Sequence, residues 1–397
     1  LVTLLERLIC GVTLLLMLPA TVLFIEVLLA QTRRNGAASP GAERPRLAVV
    51  MPAHNEAGII ADSIRSIRPQ LIDSDRLIVV ADNCTDGTAE IAALAGADVI
   101  TRTDLALRGK GYALDFAVRH LASDAPEVLL IIDADCRAAP GSIDRLARLC
   151  AARNRPIQAL YLMYAQAAAG IGQRIAEFAW IVKNRIRPEG LLRLGLPCQL
   201  MGTGMAFPWE RIASARLATG HIVEDLKLGI ELARAGAPPL FCPDALVTSH
   251  FPLSRDGIVG QRTRWEHGHL AVILHDAPPL FMAALASLDT DLLAMALDLI
   301  VPPVALLVLG TGAIWSASGA FYLLTKGVLP LGLATALGAL VGLSILFSWN
   351  KYGRELISLG ELALAVIYAI AKIPLYVRFL VARQRVWVRA KRGREEP

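Results

Sequence analysis

Val128-Leu129-Leu130-Ile131-Ile132-Asp133-Ala134-Asp135 decides how the chain is read. The apolar run has the length and β-branching of a buried strand. Two carboxylates leaving a core strand together must be solvated, paired or bound to a metal. If the strand continues, alternation sends them to opposite faces. If it ends there, both can turn toward one cation or one diphosphate. A solvated turn at a strand end is the plainer alternative, because Asp-x-Asp alone is common.

Upstream, residues 47–51 predict a first strand ending in Pro52-Ala53-His54-Asn55-Glu56. Ile60, Ile64, Ile67 and Leu71 then recur at helical spacing. Residues 77–81 predict a second strand, closed by Asp82-Asn83-Cys84-Thr85-Asp86-Gly87-Thr88, before a helix carrying Ile91 and Leu94. A short strand over 97–101 follows. Arg108-Gly109-Lys110-Gly111 then precedes a helix with Leu114, Val118 and Leu121. Strand–helix alternation at this spacing implies right-handed βαβ units and a parallel sheet. Ligands of such sheets sit beyond the carboxyl ends of the strands. Asn55-Glu56, the 82–86 cluster and Asp133 with Asp135 all stand at those ends, which argues for a nucleotide pocket. With no GxGxxG and no GxxxxGK[ST], neither a dinucleotide fold nor a P-loop is supported. Gly109-Lys110-Gly111 is too short for a phosphate cradle of that kind, and a flexible surface turn accounts for it equally well.

Downstream, residues 158–164 predict a strand and 171–187 an amphipathic helix. Gly202-Thr203-Gly204-Met205-Ala206-Phe207 reads as a strand whose glycines either admit a ligand or mark a bulge. Val223-Glu224-Asp225-Leu226 opens a helix with Leu226, Ile230 and Ala233 on one face; acids there suit the helix dipole. Residues 258–274 mix basic and apolar side chains around Gln261-Arg262-Thr263-Arg264-Trp265, as in a helix lying on a membrane surface. His267 and His269 are two apart, not a helical ligand spacing, and read as structural.

Hydrophobic residues make up 55% of the 397 and charged ones 19%, with mean hydropathy +0.50. That is too apolar for an ordinary soluble protein and too charged for a pure membrane bundle, so a soluble domain with membrane segments follows. The net charge of +5 gathers near apolar stretches, which fits an anionic membrane surface and gives no sign of a nucleic-acid partner. Six scattered cysteines without a CxxC pair read as free thiols in a reducing compartment.

Residues 8–30 are long enough to span a bilayer, interrupted by Glu26 and with Pro19 as a kink candidate. Arg33, Arg34, Arg44 and Arg46 follow, placing that end in the cytoplasm. An anchor fits better than a cleaved signal peptide, because no convincing small-residue cleavage site follows. Apolar stretches at 292–324, 328–347 and 356–371 predict a membrane region, with Asp298, Pro302-Pro303 and Glu361 inside it. Arg383, Arg385, Arg389, Lys391, Arg392 and Arg394 make the tail basic; a cytoplasmic tail asks for two C-terminal spans, so 356–371 is expected to be interfacial or re-entrant. The expected divisions are an anchor (1–32), a basic linker (33–46), a soluble α/β domain (47–255), an interfacial region (256–280), a membrane region (281–382) and the tail (383–397).

Taken together, Pro52-x-x-Asn55-Glu56, Asp82, Asp133-x-Asp135, Glu224-Asp225 and Gln261-x-x-Arg264-Trp265 resemble the signature of membrane-embedded family-2 glycosyltransferases. That group includes cellulose, chitin, hyaluronan and poly-N-acetylglucosamine synthases and ceramide glucosyltransferases. One departure is Ala81-Asp82-Asn83-Cys84 where the family usually has Asp-Asp-Gly-Ser. The resemblance implies an α/β domain of GT-A type, Rossmann-like with a mostly parallel sheet, at the inner face of the cell membrane. It also implies inverting transfer of a hexose or N-acetylhexosamine from a nucleotide-diphosphate sugar, a UDP-sugar first. Asp135, helped by Asp133, would hold Mg²⁺ or Mn²⁺. Pro52, Asn55, Glu56, Asp82, Lys110 and Asp133 would bind the nucleotide sugar. Asp225, with Glu224 beside it, would be the general base. Gly202, Gly204, Gln261, Arg264 and Trp265 would serve acceptor and diphosphate. The leading expectation is a growing exopolysaccharide as acceptor, with membrane lipids and secretion-complex partners around the enzyme. The alternative is a single transfer to a lipid acceptor of ceramide or polyprenyl type.

Overall fold

The structure, a computed structural model, describes residues 1–32, 43–166, 169–252 and 254–383. Most of the expected linker and tail, including Arg33, Arg34 and the basic residues beyond Arg383, lies outside the described residues.

Four strands carry the expected parallel core: β1 (Leu47–Ala53), β2 (Arg76–Asp82), β3 (Asp98–Arg102) and β4 (Val128–Ile131). A two-residue strand, β5 (Arg137–Ala138), follows the Asp pair, and β6 (Ile157–Tyr164), β7 (Met205–Pro208) and β8 (Leu240–His250) complete one sheet in the order β3-β2-β1-β4-β7-β6-β8-β5. β1 pairs in parallel with β2 and β4, β2 with β3, and β6 with β8. β7 enters antiparallel between β4 and β6, and β5 is an antiparallel edge on β8. The result is a mixed α/β domain whose sheet is mostly parallel.

Both faces of the sheet are covered, which is why its strands read as continuous apolar runs. Val49 and Met51 of β1 join Ile64, Ile67, Leu130 and Ile132 in one buried layer. Ala48 and Val50 join Leu114, Ala117, Leu129 and Phe207 in the other. Side-chain alternation along each strand feeds the two layers in turn.

Helix Val2–Ala30 runs unbroken through Pro19. With Val304–Thr325, Leu329–Gly353 and Leu359–Val381 it makes four helices long and apolar enough to cross a membrane. The last is assembled from three short helices, Leu359–Ala363, Ala365–Ile370 and Ile373–Val381, and includes the stretch expected to be interfacial. Leu4, Leu8, Leu15, Leu324 and Val366 expose apolar surface on these helices, as lipid-facing positions do. The first helix is fastened to the rest of the fold by charge. Arg187 donates from Nε to Glu26 at 2.7 Å, and its other arm donates to the carboxylate and carbonyl of Asp298. All three residues are buried. Gly190, one turn beyond Arg187, lies so close to the Glu26 carbonyl that a Cβ would have no room.

Several expectations are corrected. The 171–187 segment is helix Ile171–Ile181, a π-helical turn Val182–Ile186, and helix Arg187–Arg193. The glycine-bearing strand begins only at Met205; Gly202 (φ 90°) and Gly204 (φ 65°) precede it in the left-handed region that glycine favours. A Cβ on Gly204 would lie 2.8 Å from Ala159 Cβ and 2.9 Å from Val247, so its close approach is to β6 and β8 and not to a ligand. Helix Arg255–His275 does not lie on a surface: Gln261, Thr263, His267, His269 and Val272 are buried from several sides. The 292–324 stretch is divided into helices Thr290–Leu299 and Val304–Thr325, because Pro302 and Pro303 have no N–H to continue the ladder. Arg44, counted with the basic residues after the first span, pairs with Asp75 (2.5 Å) and Asp144 (2.9 Å).

Candidate active site

The strand β4 ends at Ile131, so the Asp pair lies in a turn and escapes strand alternation. Thr203 Oγ1 accepts from the Asp133 N–H at 3.0 Å, the Cys136 N–H closes the turn on the Asp133 carbonyl, and Ser63 donates to the Ala134 carbonyl at 2.7 Å. With Ala134 buried in the core, the flanking carboxylates of Asp133 and Asp135 both line one cleft of about 870 Å³. Their ligand atoms and the Cys136 sulfur lie within 4.8 Å of one another.

Five further expected residues stand in that cleft's walls besides Lys110 and Gly202: Glu224, Asp225, Gln261, Arg264 and Trp265. Helix Lys110–Leu121 begins at Gly109, whose φ of 131° suits only glycine, and presents Lys110 to Asp133 at 2.5 Å. Lys110 also donates to the Gly202 carbonyl at 2.5 Å. Burial lowers its pKa, but Asp133, Glu224 and Asp225 together hold it above the ordinary lysine value. Helix Glu224–Arg234 sets Glu224 and Asp225 at its first turn, and Asp225 Oδ2 lies 3.4 Å from where a Cβ on Gly202 would be. Burial, then the Asp225 carboxylate, pushes Glu224 up to about 7. Burial also raises Asp225, with Lys110 and Lys183 opposing the rise. Gln261, Arg264 and Trp265 share one face of helix Arg255–His275 by their i, i+3, i+4 spacing.

The cleft holds residues that the sequence reading passed over, Tyr161, Trp180, Lys183 and Asn184, and also His269, which was read as structural together with His267. The π-helical turn brings Lys183 and Asn184 in. Such turns often mark functional sites. His269 continues the Trp265 face one turn on, a spacing that could have revealed it. Burial, then Lys183 and Arg187, drive its pKa down to about 3, so it is neutral. His267 faces away and bonds the Leu375 carbonyl at 3.0 Å, in keeping with a structural part. Trp265 packs on Trp180 with centroids 4.9 Å apart, and Trp180 meets Tyr161 edge-on at 5.5 Å.

Pro52, Asn55, Glu56 and Asp82 form a separate group at the ends of β1 and β2 and do not line this cleft. Asn55 accepts from the Thr85 N–H at 2.7 Å, the Glu56 N–H donates to Thr88 at 2.8 Å, and His54 bonds the Asp82 carbonyl at 2.7 Å. Asn55 (φ 56°) and Asn83 (φ 52°) are left-handed, a conformation that Asn tolerates. This explains how Asn83 stands where the resembled family usually has glycine. Asp82 is buried and its Oδ1 accepts from Arg102 at 2.7 Å and from Asn83 at 3.1 Å.

A larger cavity of about 1450 Å³ opens beside the cleft and shares Trp180, Lys183, Gln261, Trp265 and His269 with it. Its walls are mainly apolar and come from helices Ile171–Ile181 and Arg255–His275 together with three candidate membrane spans, through Phe178, Ile258, Val304, Val308, Ile345 and Val366.

The sequence profile of the family described as "Glycosyltransferase like family 2" matches residues 45–268. The low-salt glycan biosynthesis hexosyltransferase Agl6 of Haloferax volcanii is 42% identical over 94 residues, 23% of this chain and 21% of the relative. "Probable glycosyltransferase YdaM" of Bacillus subtilis is 25% identical over 257 residues, 58% of this chain and 57% of the relative. The chain thus spans about a fifth and just over half of these two relatives. Among solved structures, the mannosyltransferase PcManGT from Pyrobaculum calidifontis, in complex with GDP-Man and Mn²⁺, superposes with a TM-score of 0.56 at 18% identity. The match covers 96% of this chain and 99% of that one, a likeness of fold.

Proposed function

The chain belongs to the glycosyltransferase-like family 2, and on that premise we propose that it moves a hexosyl unit, with inversion, from a nucleotide-diphosphate sugar to a hydroxyl of a lipid-anchored acceptor. One observation carries the choice of acceptor: the acid-lined cleft shares five wall residues with an apolar cavity walled in part by candidate membrane spans. A polysaccharide channel asks for polar groups to replace the water around its sugars. Most of the lining surface here is apolar. Elongation of an exopolysaccharide remains the second reading, supported by the Gln261-x-x-Arg264-Trp265 face in the cleft.

Asp225 serves as general base. It takes the acceptor hydroxyl proton as that oxygen bonds to the anomeric carbon, and the bond from that carbon to the diphosphate breaks with its electron pair on the diphosphate oxygen. A positioned base is typically worth about 10²–10⁴-fold. Glu224 is the adjoining acid that shares the pair's proton. Arg264 and Lys110 meet the diphosphate oxygens, Arg264 with a fork suited to bidentate contact. Trp265, braced by Trp180, gives the acceptor a flat apolar face. Gly202 leaves room beside Asp225. Asn55, Glu56 and Asp82 lie nearest the base and ribose. β2 and β4 are two strand spacings apart, about 10 Å, a span that a nucleoside diphosphate can bridge.

Asp133 and Asp135 suit a hard divalent cation such as Mg²⁺ or Mn²⁺ by their oxygen donors and mutual spacing. Cys136, which donates to Asp135 at 3.4 Å, offers a soft sulfur that a hard cation of this kind does not favour. Bound there, the cation would neutralise charge on the departing diphosphate. The complex of PcManGT with GDP-Man and Mn²⁺ supports this reading. The catalytic domain would face the cytoplasm. Product analysis tests the acceptor: protein in lipid vesicles, given a nucleotide sugar and a membrane lipid extract, should yield a discrete glycolipid. A ladder of polymer lengths would overturn it in favour of elongation.

A further inference from the structure

Lys183 stands where cleft and cavity meet and lines both. Among the described residues its ammonium has no carboxylate at ion-pairing distance; it lies over the Trp180 ring face, 5.5 Å to the centroid. Three other cations of these walls are held in ion pairs, and Arg262 lies over the Tyr368 ring, 5.1 Å to the centroid. Lys110 holds Asp133, Arg187 holds Glu26 and Asp298, and Lys372 holds Glu266 at 2.5 Å. Next to Lys183 in the π-helical turn, Asn184 is fully buried, donates to the Tyr161 carbonyl at 3.3 Å, and keeps its amide oxygen without a partner. A half-buried cation beside an unsatisfied amide oxygen is costly unless a ligand completes it.

We propose, resting on the reading above, that Lys183 and Asn184 receive an acceptor whose head carries a phosphate and a hydroxyl, while its apolar tail fills the cavity. Lys183 pairs with the phosphate oxygen, and Asn184 accepts from the hydroxyl. Charge complementarity favours this amphiphile over a neutral one. Arg262 adds positive charge to the cavity, and its one acid, Glu266, is already paired with Lys372. Burial depresses the Lys183 pKa while Asp225 supports its charged form, so an anion entering the junction would restore what desolvation removes.

The test is binding, read by fluorescence of the intact protein, since Trp180 and Trp265, two of its six tryptophans, line the junction. The probes are decyl phosphate, decyl maltoside and inorganic phosphate, each below any micellar concentration. Decyl phosphate should saturate at concentrations at least tenfold lower than decyl maltoside, and inorganic phosphate should not compete at that level. Lys183→Met should erase the difference and Lys183→Arg should keep most of it, with circular dichroism checking that both variants fold. Equal binding of the two amphiphiles would overturn the proposal, as would an unchanged preference in Lys183→Met. Inorganic phosphate matching decyl phosphate would make this a free-anion site. Weakened nucleotide-diphosphate binding in Lys183→Met would assign the ammonium to the donor. Failure to turn over any nucleotide sugar would sink the enzymatic reading and leave this binding result standing.

Discussion

The Lys110 ammonium lies 2.5 Å from Asp133 Oδ1 and donates to the Gly202 carbonyl at 2.5 Å, so one cation joins the β4 turn, the glycine loop and the start of helix Lys110–Leu121. A hydrogen bond to a charged group is worth about 1.5–3 kcal/mol. Lys110→Met should therefore lower kcat/KM for the donor by about 10- to 100-fold, and Lys110→Arg should recover part of the loss. Initial rates against donor concentration check this, and an unchanged kcat/KM would show the pair to be structural only.

Asp225→Asn should lower transfer by about 10²–10⁴-fold while nucleotide binding, measured by calorimetry, stays near wild type. Equal loss of both would refute the base assignment.

Glu224 makes a prediction about pH and stability. Its folded pKa, about 7, is raised above the ordinary 4.5 by burial and by Asp225. The folded state thus holds a proton that the unfolded state has released. The stabilisation is complete below about 4.5 and is lost as pH rises through about 7. Glu224→Gln should flatten the fall in Tm between pH 5 and 8; a wild-type slope in the variant would exclude Glu224 as its source.

Trp265→Ala removes the face that packs on Trp180 at 4.9 Å. Acceptor KM should rise severalfold more than donor hydrolysis falls. Parallel losses would place Trp265 in the scaffold.

Arg187 bridges Glu26 and Asp298 with all three buried. Arg187→Met alone strands two buried acids and should cost about 3–5 kcal/mol. Arg187→Met with Glu26→Gln and Asp298→Asn should cost less, because no charge is left uncompensated. Denaturation of the two variants in detergent decides it, and a triple variant weaker than the single one would contradict the account.

The parallel half of the fold was legible because strands β1, β2 and β4, buried on both faces, leave an unbroken apolar signature, and their polar ends fall in loops. The strand β8 was not, since Pro243, Asp244, Ser249 and His250 interrupt it and its pairing to β6 is shifted by an irregularity between Ala159 and Leu160. The candidate cleft was legible where motifs stand at element ends: Asp133, Asp135, Glu224 and Asp225 all line it. Lys183 and Asn184 were hidden because a π-helical turn breaks the 3.6-residue period that sequence reading assumes. Asp82 was expected with the other acids, but its carboxylate turns to Arg102, a partner twenty residues away that no motif announces. Helix Arg255–His275 looked interfacial because its basic and apolar residues alternate. The domain and the membrane-side helices together enclose it, a circumstance of tertiary packing.

The most direct test of the central claim compares wild type with Asp135→Ala, purified in lipid and given UDP-glucose, UDP-N-acetylglucosamine and GDP-mannose with and without Mn²⁺. Wild type should release nucleoside diphosphate from at least one donor only when metal is present, and Asp135→Ala should release none above background and lose Mn²⁺ binding. Release by neither protein from any donor, or equal metal-dependent release by both, would contradict a cleft organised around Asp133, Asp135 and Asp225.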